Sequence, residues 1–150
     1  VKNRQRGAEQ AIGLIEDVAT KYCQEVESIN DGFQQLLAME HMSFMLFVGK
    51  AWVAMGGHIT DTTKLIPFMR AVVMPVVEAL PAPTRPDVSE AGLERWAAML
   101  RSLYAHDSPG EFFQLALAAL GQPPPSDPET AATLAKTMQE MARAFGLRQQ

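Results

Sequence analysis

Along the first quarter of the chain, apolar residues recur in steps of three and four at Ile12, Ile15, Ala19, Tyr22, Val26, Ile29, Phe33 and Leu36. That spacing returns each side chain to one stripe of an α-helix, and the stripe must be buried against other helices of the same chain or a partner. It predicts a long amphipathic helix from about 4 to at least 30, with Asp17 and Lys21 placed to pair on its outer face. Asn30, Asp31 and Gly32 are turn formers. Phe33 and Leu36 nevertheless keep the register of Val26 and Ile29, so the expectation is a continuous or kinked helix rather than a break.

Between 36 and 55 the stripe gives way to apolar residues on every face, with Met42, Phe44, Met45, Leu46, Phe47, Val48, Trp52, Val53 and Met55. A helix that is apolar all round is buried all round, which predicts a central core helix unfolded by Phe47→Asp and ended by Gly56 and Gly57. Its apolar run of about 15 residues falls short of the roughly 20 that a membrane span needs, and Glu40, His41 and Lys50 interrupt it. No transmembrane segment is therefore expected.

Thr60 or Asp61 is the expected cap of the next helix, which carries Leu65, Ile66, Phe68, Met69, Val72, Val73, Val76 and Val77 toward Leu80. Pro67 is expected in its first turn and Pro75 at a kink. A stiff connector with Pro81, Pro83 and Pro86 follows, and Asp87 with Glu90 has the spacing of a capping box. Beyond it, Leu93, Trp96, Ala97, Leu100, Leu103 and Tyr104 mark another buried face. Ser108, Pro109 and Glu111 start a short, very apolar helix that Gly121 stops. After Pro123, Pro124 and Pro125, Asp127 and Pro128 launch the last helix, with a stripe from Ala131 through Met138 and Met141 to Phe145 before Gly146.

No strand alternation bounded by hairpin turns occurs, so the fold class is all-α: a helical bundle of about five to six helices with proline-rich connectors. The 150 residues fit a single all-α domain, 1–150, with a subdivision at the 81–87 connector as the alternative. The chain opens on Val1, which is compatible with excision from a longer protein. A formal net charge of −4, divided evenly between the two halves, leaves no basic face for nucleic acid. One cysteine, Cys23, permits no internal disulfide and suits a reducing cytoplasm, where a packed thiol is expected. No signal peptide is visible.

The search for chemistry finds little. Di-iron bundles need a glutamate with a histidine three residues on, twice, and that pattern is absent. His41 reads as a hydrogen-bonded interior histidine, and His58 and His106 read as surface or helix-end residues; no metal or cofactor is expected. Cys23 and Ser43 lie on no nucleophile elbow. Methionine is the remaining signal, because Met39, Met42, Met45, Met55, Met69 and Met74 concentrate in the two most apolar helices, as in irregular cores and adaptable grooves alike.

These features point to a non-enzymatic helical module for protein–protein interaction or regulation, a homo-oligomer, because the apolar helix surface exceeds what one small bundle buries. The alternative is a carrier or sensor of an apolar small molecule or acyl chain. Its pocket would be lined by Phe44, Met45, Phe47, Val48 and Trp52 against Leu65, Phe68, Met69 and Val72, with His41, Lys50 or Arg70 orienting a carboxylate. A third reading places an enzyme at Glu40, His41 and His58.

Overall fold

The N-terminal stripe is carried by two helices, not one. In this computed structural model, which describes residues 2–29, 33–105 and 109–144, α1 (Lys2–Ser28) ends before Asn30–Gly32 and α2 (Gln34–Ala54) begins after it. Those three residues lie outside the described part of the chain. Their types are poor helix formers, and an apolar register that persists across them does not oblige the helix to persist.

The two helices run antiparallel, packed along much of their length. The backbone at Gly7 approaches Ala54, Ile15 packs with Ala51, and Tyr22 stacks on Phe44 with ring centroids 4.4 Å apart. The expected stripe is therefore only partly covered. Ile15, Tyr22 and Val26 are buried, whereas Ile12, Phe33 and Leu36 are exposed. Lys21 pairs with Glu25 at 3.7 Å instead of with Asp17.

α2 is the central helix. His41, Met42, Phe44, Met45, Leu46, Val48, Gly49 and Ala51 are buried, and by length and apolarity alone its 21 residues suffice to cross a membrane. Phe47 and Trp52 are only half-buried, and Val53 is exposed. At its end Gly56 takes a φ of 91°, and at Gly57 a Cβ would lie 2.1 Å from the Trp52 indole, so that ring folds onto a position only glycine leaves open.

α3 (Thr62–Glu78) runs through both Pro67 and Pro75. Pro67 thus sits in the second turn, not the first. Asp61 holds the N-cap position but spends its carboxylate on the Thr63 hydroxyl at 2.6 Å. A 3-10 turn, Ala82–Thr84, occupies the proline connector, and Arg85 reaches back to the Leu80 and Glu78 carbonyls that α3 leaves unpaired at its end.

α4 (Glu90–Tyr104) is capped by Ser89 rather than by Asp87: the Ser89 hydroxyl accepts from the Gly92 N–H at 3.2 Å. Asp87 instead accepts from Ser89 and pairs with Arg95. α5 (Pro109–Leu120) and α6 (Pro128–Ala144) each begin on the expected proline. Asp127 caps α6 through the Thr130 N–H and hydroxyl, and Gly121, with φ 67°, follows α5. His106 and Ser108 lie outside the described residues, as do Phe145, Gly146 and the side chain of Met141.

Among the described residues there are six α-helices and no strand, so the fold is an all-α bundle. One apolar cluster draws on all six, including Tyr22, Met42, Leu65, Trp96, Phe112 and Met138.

Candidate functional site

The side chains expected to line a pocket between α2 and α3 mostly fill the core. Phe44, Met45, Val48, Leu65 and Met69 are at most 1% exposed. Phe68 and Val72 are half-buried, and the Phe68 ring lies 4.9 Å from that of Trp52, whose Nε1 donates to the His58 carbonyl at 3.1 Å. Lys50 and Arg70 are exposed. The residues are neighbours, but they are packed against one another.

His41 is the interior histidine its sequence position suggested. Tyr22 Oη lies 2.6 Å from its Nδ1, and the ring also donates to the Thr84 carbonyl. With one nitrogen donating to a carbonyl, Nδ1 is left to accept from the tyrosine, so the ring is neutral. Burial lowers its pKa to about 4 and raises that of Tyr22 far above the usual phenol range. The network ties α1, α2 and the 3-10 turn together. His58 lies beyond the other end of α2, roughly 20 Å of helix away, so Glu40, His41 and His58 do not converge.

An open groove of 190 Å³ runs between α1 and α2, walled by Val18, Lys21, Tyr22 and Glu25 on one side and by Glu40, Ser43, Phe44 and Phe47 on the other. Helical spacing extends both walls: Leu14, Val18, Lys21 and Glu25 form one line, and Leu36, Glu40, Ser43 and Phe47 form the other. Leu14 is 55% exposed, Leu36 49%, and Phe33 beside it 66%. Toward the other end from Val18 and Phe47, the Glu40 carboxyl meets that of Glu25 closely enough to hydrogen-bond it when Glu40 is protonated. Partial burial, that bond and the Glu25 charge push the Glu40 pKa up to about 7, against the opposing pull of Lys21.

On the opposite flank of α2, a second cavity of 240 Å³ opens against α5 and α6. Ala38, Met39 and Met42 meet Leu117, Leu120, Leu134 and Met138, with Gln35, Gln122 and Thr137 also in the wall. Sequence reasoning missed it, although the methionines of α2 were its visible sign. The pairing of Glu25 with Glu40 was not legible either, since it depends on α1 folding back on α2.

Among the described residues no three His, Cys, Asp or Glu side chains cluster as metal ligands. Cys23 is half-buried with Sγ 3.9 Å from the Val76 carbonyl, and burial raises its pKa, which disfavours the reactive thiolate. Comparison with protein-family models, with curated proteins and with solved structures finds no match to this chain.

Proposed function

We propose that the protein is a non-enzymatic helical interaction module that self-associates through the groove between α1 and α2. The observation that carries this reading is the exposure of Leu14, Phe33 and Leu36 at the two ends of that groove, with half-buried Val18 and Phe47 between them. Leu14, Phe33 and Leu36 are each about half to two-thirds exposed, so covering one recovers that share of the roughly 1.5–3 kcal/mol that full burial of such a side chain is worth.

The groove is also self-complementary. Its ends are apolar, and Lys21 stands between them beside the Glu25–Glu40 pair. A second copy related by a two-fold axis across the helices sets apolar end on opposite apolar end, as an isologous contact requires. Sedimentation velocity on the purified chain tests this directly. The wild type is expected to dimerise reversibly, and Leu36→Asp and Leu14→Asp are expected to give folded monomers of unchanged helicity. A wild-type chain that stays monomeric at all concentrations refutes the reading.

A further inference from the structure

We infer that the cavity between α2, α5 and α6 is a binding site for an uncharged, compact amphiphile: a medium-chain alcohol, amide or ester. Its 240 Å³ is about one and a half times the roughly 150 Å³ apolar cavity that accepts benzene. Its apolar wall is formed by Met39, Met42, Leu120 and Met138, with Leu117 and Leu134 reaching the adjoining cleft. Thioethers are flexible and polarisable, so such a wall adapts to a chain or a ring without a fixed shape.

The polar groups are few: the Thr137 hydroxyl donates to the Thr133 carbonyl of its own helix, which leaves two carboxamides. Gln35 and Gln122 line both the cavity and an adjoining 310 Å³ cleft beside Pro123–Pro125, so they stand where the apolar chamber meets the outside. There a ligand's hydroxyl, amide or ester can hydrogen-bond to carboxamides able both to donate and to accept. No Asp, Glu, Lys, Arg or His lines the chamber, and in the cleft the Asp127 carboxylate is already engaged by Thr130 at the start of α6. A charged head group drawn into the chamber would lose water and find no counter-ion in its wall, which favours an uncharged ligand over an anion or amine of the same chain length. This site is independent of the self-association groove, which uses the other side of α2.

The test is a titration of the full chain, labelled at its methionine methyl groups, with 1-octanol and with octanoate at pH 8, followed by NMR. Met39, Met42 and Met138 are expected to shift saturably with 1-octanol while Met69 and Met99 in the sealed core do not, and octanoate is expected to leave all of them in place. Ala38→Phe, which projects a ring into the chamber, is expected to weaken 1-octanol binding by about tenfold or more. Leu14→Asp, a change in the other groove, is expected to leave it intact. Absence of saturable shifts in the wild type overturns the proposal, as does equal binding of octanoate. Uniform shifts of core and cavity methionines also overturn it.

Discussion

At the scale of single residues, buried polar atoms separate those that hold the fold from those that burden it. Among the described residues, the buried Ser102 hydroxyl and Trp96 indole N–H find no hydrogen-bond partner. Ser102→Ala removes one such group and raises helix propensity, so it is expected to stabilise the protein by about 1 kcal/mol, read as a higher urea midpoint at unchanged slope. His41 is the opposite case, since both of its nitrogens are bonded. Its pKa is about 4 in the folded chain against 6.5 unfolded, so the unfolded state binds the extra proton as pH falls. Its contribution is complete above pH 6.5 and is lost progressively toward pH 4, amounting to about 3 kcal/mol. Glu40 has the reverse sign. Its folded pKa of about 7 exceeds its usual 4.5, so its contribution is complete below pH 4.5 and lost as pH rises through 7. Glu40→Gln is therefore expected to be more stable than wild type at pH 8, with the advantage gone below pH 4.5. Denaturant titrations across pH should also show the variant losing stability between pH 6.5 and 4 more steeply than wild type, whose Glu40 offsets His41 there.

At the scale of elements, α2 shows which parts of the sequence pattern were decisive. Its composition announced burial on all faces, and that holds for Leu46, Met45 and Met42, each fully buried. It fails for Phe47, whose face is turned to the groove beside Val18. Leu46→Asp is accordingly expected to unfold the chain by sealing a lone charge in the core. Phe47→Asp is expected to leave it folded, at reduced stability, and monomeric. Circular dichroism with sedimentation separates these outcomes; an unfolded Phe47→Asp chain would place that residue in the core after all. Prolines at the first helical position and Asp127 as a cap were legible because those signals are local. The break between α1 and α2 was not, since Phe33 and Leu36 continue the apolar register whether or not the helix continues. The move of the α4 cap from Asp87 to Ser89 was hidden for a different reason. The Gly92 backbone lies so close to the Asp87 carbonyl that a Cβ there would be 2.3 Å from it, a fold-back of the chain onto the first turn that the capping-box spacing does not contain.

At the scale of the whole molecule, the self-association we propose would be linked to protons through Glu40 in the wall of the groove. A second copy covering the groove would remove Glu40 further from water, and burial favours the protonated form of a carboxyl. Lys21, 3.7 Å from Glu25, is the positive charge that opposes this, and Tyr22 remains neutral beside them. The Glu40 pKa already lies near 7 in the single chain, so burial in the proposed dimer is expected to raise it and to take up protons at neutral pH. By linkage, proton uptake on association means association tightens as pH falls. Sedimentation equilibrium is therefore expected to give a lower dimer dissociation constant at pH 6 than at pH 8. Glu40→Gln, which mimics the protonated form, is expected to hold the lower value at both. The sign is specific to this interface. An assembly built on the exposed end of α2 at Val53 would leave Glu40 uncovered and show no such dependence, and a dissociation constant that rises on acidification would exclude the groove as the contact.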